Sequence, residues 1–420
     1  MKIIVLLLFV LTYTLIVLKR DKSLRILLGS IAVLFISGIM SPAQIWESMN
    51  LNVLGIFLGT MIISGLFIYS GVPAYITDLI VRHTKRADIA FLSICVFASF
   101  ISSFTENIAT VMIVAPLALE LARRLKINPA LLLIGISVSS NLQGTATLIG
   151  DAPSILLATK ANMTFNDFFF MQGKLGIFFA VQVGALGSFI VLYLMYKKFA
   201  VKLPKIESMA QVKSWVPTIL TGCMVLNLIL LSVIKVRVPY ALAIVCMFWA
   251  AVGLIWHEFA HKESISIVKD LDWYSLAFLA GIFIVIGSLN VSGLIDDLAN
   301  ILIGFSGGSV LNAYIMIIVI SVFVSAFVDN IPYTIAMMPL AIKIAESFNV
   351  SIYLFLFGLL IATCLGGNIT PFGSASNIVT MGLLKKNGYP VKLTEFVKLG
   401  FPFTITAVSL GSIFVWMVWR

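Results

Sequence analysis

Apolar segments long enough to cross a lipid bilayer recur along almost the whole chain. A helix of about 20 apolar residues spans the hydrocarbon core. The composition agrees, since 60% of the 420 residues are hydrophobic and only 11% are charged, which excludes an ordinary water-soluble domain. The sequence therefore predicts an all-α membrane protein with about ten transmembrane helices. We place these crossings near residues 3–18, 26–41, 51–69, 131–157, 175–196, 215–234, 238–256, 274–291, 351–382 and 399–419.

Two further apolar segments, 88–122 and 311–345, are interrupted in the middle by polar residues. We predict that each is a re-entrant helical hairpin, which enters and leaves the membrane on one side. With this topology 21 of the 28 lysine and arginine residues fall on one side of the membrane. The positive-inside rule makes that side cytoplasmic, so both termini are expected outside a cytoplasmic (inner) membrane. Topology thus explains the net charge of +10, and no nucleic-acid partner is expected.

The chain contains an internal repeat. Residues 103–155 match residues 326–378 without a gap, with 16 identities in 53 positions. In the predicted topology the two copies run in opposite directions, an arrangement on which many secondary transporters are built. The predicted organisation is therefore N-terminal scaffold helices at 1–49, a first inverted repeat at 50–196, a cytoplasmic linker at 197–214, scaffold helices at 215–271 and a second inverted repeat at 272–420.

Polar residues mark the predicted hairpin tips. The first tip reads SFTENIAT, from Ser103 to Thr110, and the second AFVDNIPYT, from Ala326 to Thr334. Acidic residues at membrane depth are costly and usually functional. Asn107 and Asn330 are expected to cap the second helix of each hairpin. A role as caps alone is the alternative, but it does not explain a carboxylate beside the asparagine in both copies.

A second pair of polar stretches interrupts the segments 131–157 and 351–382. They read NLQGTATLIGDAPS and CLGGNITPFGSASN, with glycines six residues apart. Irregular backbone at membrane depth survives where it lines a cavity or packs within protein. We therefore predict broken helices whose freed carbonyls and polar side chains bind a substrate, although a glycine kink for close helix packing is the alternative. The break residues in question are Gly144, Thr145, Thr147, Gly150, Gly367, Asn368, Thr370, Gly373 and Ser374.

The predicted site contains Glu106, Asp151 and Asp329 but no lysine, arginine or histidine. Such a site suits a cation, a proton or a neutral polar solute. A multivalent anion would need cations bound with it. The two halves also differ, because Asp151 corresponds to Ser374 in the repeat.

The motifs together resemble those of the ion transporter superfamily. The residues that carry the likeness are TENIATVMIVAPLALELARRLKINP and NLQGTATLIGDAPSILLATKANMTFNDF in the first half, and SAFVDNIPYTIAMMPLA and LGGNITPFGSASNIV in the second. The branch they resemble holds the arsenite-efflux permeases, the NhaD-type sodium/proton antiporters and the melanosomal P protein. It is a sister of the divalent anion:sodium symporters.

The resemblance implies a scaffold domain and a transport domain that moves in an elevator-like way. Carried over by position, it makes Asn107, Thr110, Asn330 and Thr334 at the hairpin tips, and Thr145, Thr147, Asn368 and Thr370 in the breaks, the binding residues. Thr105 and Asn377 complete the predicted set. The chain departs from the family where it has Glu106-Asn107 in place of an aspartate-asparagine pair, and Gly150-Asp151-Ala152-Pro153-Ser154 in place of G-D-P-P-N.

Three functions remain open on the sequence. The leading one is a secondary transporter, not an enzyme, which moves a small inorganic ion or solute with a proton or sodium gradient, of the arsenite-efflux or sodium/proton-antiport type. The others are a sodium-coupled dicarboxylate or anion symporter and a passive channel. The chain has no G-x-x-x-x-G-K-[ST] motif of its own, so a cytoplasmic ATPase partner is expected only for the arsenite type. No cofactor or metal beyond sodium ions is expected, and the resemblance implies a homodimer.

Overall fold

The fold is described from a computed structural model and covers residues 2–19, 22–203, 211–234, 240–261 and 264–420. Part of the predicted linker, residues 204–210, lies outside the described residues. Twenty α-helices make up the described chain. They are α1 Lys2–Leu18, α2 Ser23–Ile36, α3 Pro42–Ser48, α4 Leu51–Tyr69, α5 Val72–His83, α6 Ala87–Ser102, α7 Asn107–Arg124, α8 Ala130–Gly144, α9 Ala152–Lys160, α10 Ile177–Tyr196, α11 Val216–Val233, α12 Ala241–His261, α13 Ser264–Lys269, α14 Trp273–Ser292, α15 Leu294–Phe305, α16 Val310–Ser325, α17 Asn330–Ser347, α18 Ile352–Gly366, α19 Ala375–Lys386 and α20 Leu393–Trp419.

The protein is an all-α membrane protein, as predicted. Seven of the described helices are long and apolar enough to cross a bilayer on their own, and they are α4, α10 with the turn that follows it, α11, α12, α14, α18 with the turn that follows it, and α20. The predicted crossings 3–18 and 26–41 are shorter helices of 17 and 14 residues. One small departure is an antiparallel ribbon between α9 and α10, where β1 (Phe170–Met171) pairs with β2 (Lys174–Leu175).

Both predicted hairpins and both predicted breaks are present as structural elements. In the first hairpin, α6 and α7 are joined by the four residues 103–106, and in the second α16 and α17 are joined by residues 326–329. The predicted segment 131–157 is divided into α8 and α9, and 351–382 into α18 and α19.

The helices that open the two repeats begin and end alike. Asn50 Oδ1 caps α4 by accepting from Val53 N at 3.2 Å, and Asp272 Oδ1 caps α14 by accepting from Ser275 N at 2.9 Å. Each helix is followed by a glycine in the left-handed region, with φ of +71° at Gly71 and +72° at Gly293, a conformation that favours glycine. Both pairs of positions are 222 residues apart, one residue fewer than the offset of 223 between 103–155 and 326–378, so the repeat continues upstream with its register shifted by one residue.

The two helices run in opposite directions. Gly65, near the end of α4, lies against Ile267, five residues before α14 is capped by Asp272. The end of α14 lies instead beside the start of α1, since a Cβ on Gly293, the residue after α14, would lie 3.6 Å from Lys2 Cε. This opposition is the inverted repeat that the sequence predicts.

Four short helices were not anticipated: α3, α5, α13 and α15. The helices α5 and α15 follow Gly71 and Gly293 directly, and α15 meets α16 at an angle of 116°. Both have one apolar and one polar face, and at 12 residues each they are too short to span a bilayer. The sequence analysis did not predict α5 and α15, because long apolar runs indicate membrane spans but do not reveal short amphipathic helices.

The helices pack as two groups. One contains α1, α2, α4, α11, α12 and α14, and the other contains the hairpins, the broken helices, α10 and α20. The groups meet where α4 contacts α7 and α9, and where α14 contacts α17. The hairpin tips and breaks of the second group lie close to this boundary.

Candidate substrate and ion site

The hairpin tips place a carboxylate at the start of a helix in each half. Glu106 occupies the residue before α7, and Asp329 the residue before α17, where its Oδ1 accepts from Ile331 N at 3.1 Å. The acidic residues therefore hold both N-cap positions, although only Asp329 makes a capping hydrogen bond and Glu106 makes none. The expectation that Asn107 and Asn330 cap these helices is wrong, because both asparagines are already the first helical residue. An anionic group at a helix N-terminus is favoured by the exposed amides and the helix dipole.

One threonine in each break holds the tip of the hairpin of the same half. Thr147 Oγ1 donates to Ser103 O, and its repeat equivalent Thr370 Oγ1 donates to Ala326 O. Both threonines are buried. Each break is thus fastened to its hairpin by the same contact, so the two irregular segments of a half form one unit.

Paired glycines let the two sides of each break approach closely. A Cβ atom on Gly150 would lie 2.5 Å from Gly144 O, and one on Gly373 would lie 2.6 Å from Gly367 O. Real Cβ atoms essentially never come that near, so no side chain fits at these positions. The glycine spacing seen in the sequence therefore has a steric cause in both halves.

The breaks and tips surround a cavity of about 360 Å³, which we call the acidic cavity. Four carboxylates line it: Glu106, Asp151, Asp272 and Asp329. Asn107, Asn330 and Ser374 also face it, and no lysine, arginine or histidine does among the residues that the structure describes. It extends to Ser23 and Asp272, the ends of α2 and α14 that lie next to the lysine-rich segments.

Asp272 was missed by sequence analysis. It lies on α14, in the group opposite the hairpins, and its carboxylate accepts from Ser275 N at 2.9 Å and from Ser275 Oγ at 2.5 Å. Its side chain lines the same cavity as Glu106. The repeat gives one indication that Asp272 matters, because this residue corresponds to the capping Asn50. The sequence does not show, however, which end of α14 faces the cavity.

The two halves also touch each other inside the cavity. Asp151 caps α9, where its Oδ1 accepts from Ala152 N at 2.9 Å, and its Oδ2 is 3.5 Å from Nδ2 of Asn330 in the other half. Ser102 fixes the side chain of Asn107, because the Ser102 Oγ donates to Asn107 Oδ1 at 2.6 Å. The carboxylates are spread around the wall, and no group of three His, Cys, Asp or Glu side chains within the described ranges is arranged to hold a metal ion.

The remaining predicted residues lie behind the cavity wall, where they bond to other groups of the hairpins and breaks. Thr105 Oγ1 lies 3.0 Å from Thr110 Oγ1, and Thr334 Oγ1 donates to Asn330 O at 2.7 Å. Thr145 Oγ1 donates to Asn141 O at 3.2 Å. Asn368 and Asn377 are fully buried and join a network around Asn141, a residue of the first break that was not among the predicted ligands.

A second cavity, of about 310 Å³, opens at the opposite end of the same boundary. Its polar lining includes Glu47, Asn50, Lys160 and Asn290. Along α14, Leu279 lines the acidic cavity and Phe283 lines the second one. Four helical residues, or about 6 Å of helix, separate the two linings. The acidic cavity is thus closed from the far end by a thin apolar layer.

Comparison with known proteins supplies the family. A family model described as "Citrate transporter" (CitMHS) matches residues 13–355 and 228–420. An uncharacterized transporter of Mycobacterium tuberculosis is 27% identical over 430 residues, with 99% of this chain and 98% of the relative covered. A 46 kDa membrane protein of Mycobacterium leprae is 28% identical over 433 residues, with 99% of each covered.

More distant likenesses agree with the fold. The mouse P protein is 22% identical over 497 residues, and the match covers 96% of this chain but only 58% of the P protein. Among solved structures, the YdaH transporter of Alcanivorax borkumensis, reported to have an unusual topology, superposes with a TM-score of 0.61 at 13% identity and covers 99% of this chain and 97% of its own.

Proposed function

Because this chain belongs to the citrate transporter family, we propose that it is a secondary active transporter whose coupling cations, sodium ions or protons, bind at the acidic cavity. The observation that carries the proposal is the lining: four carboxylates and, among the described residues, no basic side chain. Ionised carboxylates gathered in a site of low dielectric repel one another unless cations or protons neutralise them. Cation binding would neutralise these carboxylates and so remove the repulsion that destabilises the cavity.

The position of the cavity supports movement of the bound ions across the membrane. It lies at the boundary between the two helix groups, with a second cavity at the other end of that boundary. Displacing the hairpins and breaks along α14 would bring their carboxylates from one cavity to the other. We therefore place the group with α4, α12 and α14 as scaffold and the group with the hairpins as the moving part, in the cytoplasmic membrane with both termini outside.

The solute that suits such a lining best is a cation or a small neutral hydroxylated solute, as in sodium/proton antiport or arsenite efflux. A second candidate is a carboxylate such as citrate, which the family description favours. Citrate carries several negative charges, so it could enter an acidic cavity only together with cations. Its transport would therefore depend strictly on sodium or another cation.

Flux measurements in proteoliposomes separate these candidates. Purified protein is reconstituted and tested with arsenite, sodium and citrate under imposed pH and sodium gradients, with and without ionophores that collapse each gradient. The proposal expects saturable flux that stops when the coupling gradient is collapsed. Passive, unsaturable flux that ignores both gradients would instead identify a channel.

Asp329→Asn tests the carboxylate. The substitution keeps the shape of the side chain but removes a charge from the cavity, and it is expected to raise the half-saturation constant of the coupling cation at least about tenfold. Asp297→Asn, at a half-exposed surface residue paired with Lys2, is the matched control and is expected to transport normally. Gradient-driven flux that is unchanged in Asp329→Asn would remove Asp329 from the coupling site.

A further inference from the structure

Six buried polar side chains join the two broken helices behind the acidic cavity. They come from α8 in the first half and from the break and α19 in the second, and no more than 4% of any of them is exposed. The members are Ser137, Asn141, Asn368, Ser374, Ser376 and Asn377. Asn141 lies at the centre, with hydrogen bonds to four of the other five.

Backbone carbonyls fix the orientation of the two outer amides. Asn377 Nδ2 donates to Gly367 O at 3.0 Å and to Thr370 O at 3.1 Å, and Asn368 Nδ2 donates to Val138 O at 3.1 Å. A carbonyl oxygen can only accept, so neither amide can be turned around. The Oδ1 atoms of Asn368 and Asn377 must therefore both face Asn141.

This arrangement fixes Asn141 in turn. Its Nδ2 donates to Asn368 Oδ1 at 2.6 Å and points to Asn377 Oδ1 at 3.4 Å. Its Oδ1 is then left for the serines, and accepts from Ser376 Oγ at 2.7 Å and from Ser374 Oγ at 3.1 Å. Both serine protons point inward to one oxygen atom.

The consequence reaches the cavity through Ser374. A hydroxyl has one proton and two lone pairs, so a serine that donates inward turns only lone pairs outward. Ser374 and Ser376 both line the acidic cavity, and Ser374 occupies the position that Asp151 occupies in the first half, the residue before the second helix of the break. Without Asn141 the neighbouring hydroxyls, 3.2 Å apart, could exchange donor and acceptor roles.

We propose that Asn141 is a positioning residue that makes Ser374 a pure oxygen acceptor toward the acidic cavity, and so a ligand for the coupling cation and not for a substrate carbonyl or carboxylate. The inference rests on the proposed cation-coupled function. It assigns Asn141 an indirect role, because Asn141 itself does not line the cavity. Outer residues that orient a ligand typically change cation affinity by about 10-fold to 100-fold when they are removed.

A double-mutant cycle on wild-type background tests this role. Asn141→Ala, Ser374→Ala and the double variant are reconstituted, and the half-saturation constant for sodium or protons is measured separately from the maximal rate. Each single variant is expected to raise the half-saturation constant about tenfold. The double variant is expected to fall well short of the product of the two single effects, because Asn141 acts on the cavity mainly through Ser374.

The matched control is Cys364→Ala, at the position equivalent to Asn141 in the second half, which is equally buried. It is expected to leave the half-saturation constant within about twofold of wild type. If the effects of Asn141→Ala and Ser374→Ala multiply in the double variant, or if Asn141→Ala lowers only the maximal rate, the assignment is overturned. A wild-type protein without any cation dependence would instead overturn the proposed function.

Asn141→Asp provides a near-isosteric variant in case the alanine variant does not fold. In its acid form an aspartic acid accepts the serine protons with its C=O and donates its O–H to Asn368 Oδ1, so it reproduces the polarity of the asparagine. At pH 6 it is expected to keep the sodium half-saturation constant within about threefold of wild type. A folded Asn141→Asp protein with a tenfold weaker constant at that pH would contradict the directional argument.

Discussion

The glycine pairs of the two breaks offer the sharpest test of the site geometry. A Cβ on Gly150 would lie 2.5 Å from Gly144 O and 2.9 Å from Ser102 O, and one on Gly373 would lie 2.6 Å from both Gly367 O and Ser325 O. All of these neighbours are backbone atoms, which cannot rotate away. Alanine at either position must therefore move the break or the hairpin.

The size of the movement follows from the contact distances. Ordinary contacts begin at 3.4 Å, so the backbone must retreat by about 0.9 Å at Gly150 and slightly less at Gly373. Overpacking of this kind costs about 1–3 kcal/mol. The following residues, Asp151 and Ser374, line the cavity, and a displacement near 1 Å at a functional group can reduce a rate about 100-fold.

Gly150→Ala and Gly373→Ala are each expected to reduce the transport rate in proteoliposomes about 100-fold and to lower the midpoint of thermal unfolding in detergent. Gly382→Ala is the matched control: it lies in α19, with no atom within 4 Å of the added Cβ, and alanine favours a helix over glycine by about 1 kcal/mol. If Gly150→Ala and Gly373→Ala keep more than half of the wild-type transport rate and an unchanged midpoint of thermal unfolding, the close approach of the two sides of each break is refuted.

Two further predictions concern contacts between elements. Thr147→Val and Thr370→Val each leave a buried tip carbonyl without its donor, which is expected to lower the free energy of unfolding by about 1–3 kcal/mol. Thermal unfolding measures this, with Thr406→Val as the control, because the Thr406 hydroxyl bonds only within its own helix. Equal stability of all three variants would contradict the prediction. Tyr13→Phe removes the 2.8 Å hydrogen bond from α1 to a carbonyl of α17 and is expected to lower the population of the conformation in which the acidic cavity is open. In a Ser275→Cys background, a water-soluble maleimide is then expected to label the cysteine about fivefold more slowly. Unchanged labelling would show that the bond does not favour this conformation.

The architecture could be predicted because it depends on long-range patterns that the sequence displays openly. The length of the apolar segments predicted a membrane protein, and the polar stretches that recur in both halves of the ungapped repeat identified the hairpins and the breaks. The ends of the elements agree within a few residues, as in the first hairpin, predicted at 88–122 and formed by residues 87–124. The short helices α5 and α15 were lost because their signal is amphipathic periodicity over only 12 residues.

The direction of side chains could not be predicted. The sequence shows that Asn368, Asn377 and Thr147 are polar residues at membrane depth, but not that they bond to other break or tip groups behind the wall. It likewise shows Asp272 as a residue at the edge of an apolar segment. Only the packing of α14 against the hairpins brings this carboxylate into the same cavity as Glu106.

The difference between the two halves at Asp151 and Ser374 has an electrostatic reason. Both residues stand at the same place in their half, before the second helix of the break. A carboxylate at Ser374 would place a fifth acidic group in a cavity that already holds four, with no basic residue among the described lining. Each added charge would require a further cation or proton before the site could cross an apolar layer. In the proposed cation-coupled function, a hydroxyl whose proton is held by Asn141 would supply an oxygen ligand without that charge, so the asymmetry of the repeat would limit how many cations must accompany each transport step.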